Sequence, residues 1–214
     1  MRSFLSAISL CSILISGWLV LTLAPTQPMS RNIIYIHVPA AICSLACFTL
    51  LFICSIQYLR TKLQKWDYAA AASAEIGLIF ATVLNVTGSI FAYAEWGTWW
   101  TPSPRLISSA VMWFLYIAYL ILRAGFDTEQ KKAPVCAVFG IIAFADVPFV
   151  FISARFIRDI HRPALSFQTP WQTAAFALAL CGTLLLMAVL IWIRADILKI
   201  KIQNKKCELQ NTDL

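Results

Sequence analysis

Charge is what this 214-residue chain has least of: Asp, Glu, Lys and Arg together make up 13% of it, against 60% hydrophobic residues. A soluble domain is not built at that ratio, and a mean hydropathy of +0.76 places the chain among integral membrane proteins of one membrane unit. Cysteine is present but unpatterned. The seven, Cys11, Cys43, Cys47, Cys54, Cys136, Cys181 and Cys207, form no C-x-x-C and are odd in number, which leaves no support for a zinc site, a disulfide framework or a C-x-x-C-H haem attachment. Six lie within or at the edges of apolar runs, where cysteine serves as a small buried hydrophobe. Polar groups at mid-membrane depth, which a solute transporter would carry beside broken helices, are also few, with Asp146 and Pro148 the exception. Histidine is scarcest, with only His37 and His161. The net charge of +7 forms no patch on a soluble face. Its residues sit at the ends of apolar runs and report topology rather than nucleic-acid contact.

What is present is a series of apolar segments near the roughly 20 residues that a membrane helix needs. Six are read, over 4–24, 38–59, 70–93, 106–123, 134–154 and 171–193. Short connectors make neighbours antiparallel, so the expectation is an all-α six-helix bundle over 1–193 with a basic tail over 194–214. Lys and Arg accumulate on the cytoplasmic side. With both termini inside, Arg2, Arg60, Lys62, Lys65, Arg123, Lys131, Lys132, Arg194, Lys199, Lys201, Lys205 and Lys206 face the cytoplasm, twelve in all. The outer face then holds five, Arg31, Arg105, Arg155, Arg158 and Arg162. The first segment also has the look of a signal peptide, but its apolar run is long for one and no clean A-x-A site follows, so it is read as a retained helix.

By parity, the connectors 25–37, 94–105 and 155–170 lie outside. The middle one carries Trp96-Gly97-Thr98-Trp99-Trp100-Thr101-Pro102-Ser103-Pro104-Arg105-Leu106, three of the chain's eight tryptophans. In a helix, Trp96, Trp99 and Trp100 would share one face as an aromatic plate, ended by Pro102 and Pro104. Such a plate beside Arg105 suits a large flat ligand with negative charge at its edge. Tryptophan is equally a membrane-interface anchor, and both readings stand. The two histidines fall in the flanking connectors, and each precedes a proline by two residues, His37-Val38-Pro39 and His161-Arg162-Pro163. Proline stiffens the backbone there. Two imidazoles, largely neutral at pH 7 and able to ligate iron, beside an aromatic plate would make a bis-histidine b-type haem site; as ordinary hydrogen-bonded surface side chains they read equally well. Arg105, Arg155, Arg158 and Arg162 stand on the side where haem propionates need cations. Both histidines at one surface argue against an electron-carrying cytochrome with haems stacked through the bilayer.

WGTWW followed by PRL between the third and fourth helices resembles the tryptophan-rich "WWD" signature of haem-handling proteins, and the whole chain resembles the CcmC family of cytochrome c maturation. His37 to Ala41, the run Thr87-Gly88-Ser89-Ile90-Phe91-Ala92 leading to Glu95-Trp96-Gly97, and His161 stand where that family has its landmarks. The resemblance implies a protein of the bacterial inner membrane, with the mitochondrial inner membrane as the second setting. It implies non-covalent haem b held at the outer face and offered to the haem chaperone CcmE, beside the ABC-type complex CcmA with CcmB and the small subunit CcmD. It makes His37 and His161 the axial ligands, and Trp96, Gly97, Thr98, Trp99, Trp100, Arg105 and Leu106 the platform. Catalysis by the chain's own residues is not implied. One departure stands out: Pro102-Ser103 replaces the family's Trp-Asp, so the named aspartate is missing.

Three acidic residues complete the list. Asp146, near the middle of the fifth segment, carries a burial cost of about 2.5 to 3.5 kcal/mol and is a candidate for shaping a lateral haem entry route, with Pro148 kinking that helix. Glu75 is expected to reach water or Lys65 at the cytoplasmic surface. Glu95 is expected to pair with an outer arginine and fix the entry angle of the tryptophan loop.

Overall fold

A computed structural model describes residues 1–23, 29–126, 128–156 and 167–212. Among these, every regular element is helical: α1 (Arg2–Thr22), a 3₁₀ turn (Met29–Ile33), α2 (Ile34–Thr61), α3 (Gln64–Trp96), α4 (Pro104–Ala124), α5 (Glu129–Ala143), α6 (Asp146–Phe156) and α7 (Pro170–Thr212). Six stretches are long and apolar enough to cross a membrane: Arg2–Thr22, Arg31–Thr61, Gln64–Trp96, Pro104–Ala124, Gln130–Val150 and Pro170–Asn204. The chain is an all-α integral membrane protein with the six spans that hydropathy dictates.

The most extensively packed pair is the α2–α3 hairpin. Lys62 turns the chain in the left-handed conformation (φ 56°), its N–H returning to the Tyr58 carbonyl. This turn sets the register. Cys47 and Gly77 lie 15 residues on either side of Lys62, and His37 and Thr87 lie 25 on either side, so each pair meets across the hairpin. Ala70, Ser73, Ala74, Gly77 and Ala81 of α3 are buried, and their three- and four-residue spacing makes one small-residue face. A Cβ on Gly77 would stand 2.7 Å from Phe48 Cε1, which shows how closely the backbones approach. Phe48 then stacks on Tyr116 of α4, and Leu51, Met112, Tyr119 and Cys136 complete a fully buried centre. Cys43, Cys47 and Cys54 are likewise buried free thiols.

α1 lies along α7. Ser9, Ser12 and Ser16 donate to the carbonyls of Gly182, Leu178 and Ala175 at 2.8 to 2.9 Å. One helix thus presents hydroxyls at i, i+3 and i+7 to the backbone of the other. Among the described residues, three ion pairs stand towards the end of the bundle where α1 begins: Arg2 with Asp196, Glu75 with Arg194, and Asp67 with Arg123. The last is bidentate, at 2.8 and 2.5 Å, and its side chains are 3% and 11% exposed. Glu75 therefore answers Arg194 rather than Lys65.

The fifth segment departs from a single kinked helix over 134–154. Pro148 cannot donate to the Phe144 carbonyl, and its ring clashes there in a continuing helix. The chain instead turns at Phe144-Ala145, Val147 N–H reaches the Phe144 carbonyl at 3.0 Å, and α6 starts afresh at Asp146. Pro148 then falls in a first turn, where its missing N–H has no intrahelical partner to lose. Beyond residue 193 the chain stays helical, since α7 runs on through the basic stretch to Thr212.

Candidate functional site

At the opposite end of the bundle from the ion pairs, a cavity of about 690 Å³ opens among α2, α3 and α4. Its size lies within the usual range for small-molecule sites. His37, Leu45, Asn85, Trp99, Trp100, Arg105, Leu106 and Trp113 are among the residues that line it. Along α3 the lining runs from Thr82 to Ile90. Val86, Ile90 and Phe114, also lining, are largely exposed, so the cavity opens sideways between α3 and α4 as well as towards the tryptophan loop. A shallower groove of about 400 Å³ beside α5 is lined by Leu122, Pro134, Val135, Val138, Phe139 and Ile142. Those side chains offer no ligating group.

His37 is positioned by a helix rather than a connector. α2 begins at Ile34, one turn earlier than the His-Val-Pro sequence indicates, because Pro39 is accommodated as the sixth helical residue instead of the first. The imidazole therefore packs against α3, with Nδ1 3.0 Å from Thr87 Oγ1 and Cε1 against Gly88, where a Cβ would stand 3.1 Å away. Thr87 lies nine residues before Trp96, which is roughly 13 Å along the helix axis. The histidine is thus set into the wall beneath the loop.

The tryptophan loop itself is not helical, and the three-tryptophan plate does not form. α3 ends at Trp96 because Gly97 takes a left-handed cap (φ 71°) with its N–H on the Tyr93 carbonyl. α4 starts at Pro104 with Ser103 as N-cap, its hydroxyl accepting from Leu106 N–H at 3.4 Å. Proline at the first helical position and serine before it are the residue types that open helices. Between them, Thr98 donates to the Trp100 carbonyl at 3.0 Å. The indoles consequently diverge: Trp96 turns back edge-on to Phe91, while Trp99 stacks on Tyr93 with ring centroids 4.4 Å apart. Trp99, Trp100, Arg105 and Leu106 line the cavity; Trp96, Gly97 and Thr98 do not. These three shape the loop that delivers the others.

Arg105 sits in the first turn of α4, which contains no acidic residue. A helix N-terminus already carries partial positive charge, so the guanidinium and the helix end together favour an anion at the cavity mouth. Two polar rungs hold α3 to α4 beside the cavity, from Ser109 to Asn85 Oδ1 at 3.0 Å and from Trp113 Nε1 to Thr82 Oγ1 at 2.9 Å. Neither rung stands out in the sequence, since a single serine, threonine or asparagine in an apolar run gives no period. Thr87 and Gly88 do carry a signal, as a polar residue and a glycine side by side in a membrane helix.

His161, Arg158 and Arg162 lie outside the described residues, as does the side chain of Arg155. The chain leaves α6 at Phe156 and is described again from Phe167, which stacks on Tyr35, two residues before His37. Asp146 is not part of the cavity lining. Its Oδ2 is buried, with no hydrogen-bond partner among the described residues.

The family of Heme exporter protein C matches residues 1–212. Heme exporter protein C of Escherichia coli strain K12 is 30% identical over 171 residues, covering 78% of this chain and 70% of the relative. Its counterpart in Paracoccus denitrificans is 25% identical over 178 residues, covering 78% and 73%. A ccmC-like mitochondrial protein of cytochrome c biosynthesis in Marchantia polymorpha is 30% identical over 138 residues, covering 64% and 58%.

Proposed function

This chain belongs to the Heme exporter protein C family, and from that premise we propose that it holds haem b, without covalent attachment, in the cavity among α2, α3 and α4 and presents it to a chaperone. A place in c-type cytochrome maturation follows from the family. The observation that carries the finer assignment is that His37, Trp99, Trp100 and Arg105 meet around one cavity. The donor set fits the cargo: one imidazole in the wall, indole area at the mouth, a guanidinium for carboxylates and an otherwise apolar lining.

In this reading His37 is one axial ligand and His161 the other. Bound haem would supply an iron for His37 and His161 to hold and a vinyl edge for the chain to offer to the chaperone CcmE. The chain's own residues bind and orient. Arg105 and the start of α4 hold the propionate edge, Trp99 and Trp100 cover the ring and exclude water, and Leu106 closes the mouth from the first turn of α4. Trp96, Gly97 and Thr98 set the loop that places them. The 12-to-5 distribution of Lys and Arg supports an outward-facing mouth, in a chain that in this reading works in the bacterial inner membrane beside CcmA, CcmB and CcmD. A solute transporter would share the broken fifth span, but Asp146 at that break does not line the cavity.

The test is haem retention and the visible spectrum of purified His37→Ala and His161→Ala chains. Each is expected to hold less haem than the unmodified protein and to lose its low-spin bis-histidine spectrum. Full retention with an unaltered spectrum in both single variants would overturn the axial pair.

A further inference from the structure

We propose that Thr87 is a positioning residue that fixes the tautomer of His37, so that the imidazole meets iron through Nε2. The inference rests on His37 being a haem ligand and adds the residue that makes it a competent one. A threonine hydroxyl has one hydrogen and two acceptor lone pairs. Thr87 Oγ1 lies 2.6 Å from the Val83 carbonyl and 3.2 Å from that of Leu84. Carbonyls only accept, so the hydroxyl hydrogen is directed into the backbone of its own helix. The same oxygen is 3.0 Å from His37 Nδ1. With its hydrogen engaged, it serves there as acceptor, and Nδ1 must carry the ring hydrogen. A neutral imidazole has only one, so Nε2 is the nitrogen left with a lone pair for a metal.

Gly88 completes the seat. A Cβ at this position would stand 3.1 Å from His37 Cε1 and 3.8 Å from Nδ1, so the ring edge between the two nitrogens rests against bare backbone. Thr87 supplies the hydrogen bond and Gly88 the clearance. Together they set which nitrogen is protonated and how the ring is turned. An acceptor on Nδ1–H also raises the basicity of Nε2, and loss of such a partner typically lowers metal affinity 10- to 100-fold.

The tautomer can be read without haem. In the full-length protein in detergent micelles, selectively labelled with ¹⁵N-histidine, a two-bond ¹H–¹⁵N correlation should show His37 protonated at Nδ1; protonation at Nε2 would overturn the proposal. Titration with hemin gives the second arm. Thr87→Val keeps the branched shape and removes the acceptor, and should weaken haem binding about 10- to 100-fold and raise the haem midpoint potential. Thr87→Ser should retain affinity and potential. A packing role alone would leave the potential unchanged. Wild-type affinity and potential in Thr87→Val would sink the positioning role while leaving His37 as ligand, provided His37→Ala loses haem. If His37→Ala binds haem as the unmodified chain does, the ligand assignment itself fails, and the role of Thr87 with it.

Discussion

Gly88 ties the ligand wall to the hairpin register: it follows Thr87, faces His37, and lies 11 residues, close to three helical turns, beyond Gly77 on the same side of α3. Gly88→Ala places a methyl 3.1 Å from His37 Cε1, tighter than an ordinary contact, so the ring must shift. We expect a folded protein with several-fold weaker haem retention, measured by hemin titration, because ligand geometry tolerates displacements well below 1 Å. At this scale the sequence was legible in part. While His161 lies outside the described residues, His37, Trp99, Trp100 and Arg105, which line the cavity, could be picked out by type, scarcity and topology. That His37 belongs to a helix and faces Thr87 could not, because His-Val-Pro is compatible with proline at the first or the sixth helical position, and only packing against α3 decides. Ser103 is a second case. Where the WWD resemblance leads to the expectation of an aspartate, the chain uses serine as the N-cap of α4, a duty that either residue performs.

Among elements, α2 and α3 define the site by how closely they approach. The buried small-residue face of α3 centred on Gly77 brings α2 into near backbone contact, which holds His37 against its seat three turns farther along. Gly77→Ala would put a Cβ 2.7 Å from Phe48 Cε1 and 2.8 Å from Cys47 Cβ, and overpacking of that kind typically destabilises by about 1 to 3 kcal/mol. A lowered melting temperature in micelles, with weakened haem retention, is expected; unchanged values for both would mean that the hairpin relaxes without cost to the site. Hydropathy alone located all six spans, since length and apolarity are what a bilayer selects. It could not see the division of the fifth span, because Phe144 and Ala145 simply continue the apolar run from Ile141. Pro148 marked the place but not whether the helix would kink or restart. The non-helical tryptophan loop follows from Gly97, whose left-handed cap outweighs the helical spacing of the three indoles.

Across the whole molecule the two ends of the bundle are built differently. Towards the end where α1 begins stand the part-exposed pairs Arg2–Asp196 and Glu75–Arg194 and the buried Asp67–Arg123 pair. The tryptophan end leaves α3 and α4 apart, bridged by the Ser109–Asn85 and Trp113–Thr82 rungs, with a cavity beside them. Ion pairs lie towards one end of the bundle and an open pocket towards the other, an arrangement suited to holding and releasing a large apolar cargo. The charged partners were invisible in the sequence, because Asp67 and Arg123 are 56 positions apart and each looks like an ordinary helix-end charge. Whether this pocket binds haem through imidazole is read most directly from the visible absorption spectrum of the purified full-length chain, titrated with hemin in micelles and then reduced. Saturation at about one haem per chain is expected, one cavity holding one haem through His37 and His161 as proposed, with a low-spin spectrum in both oxidation states. A folded chain that acquires no saturable haem band would contradict it.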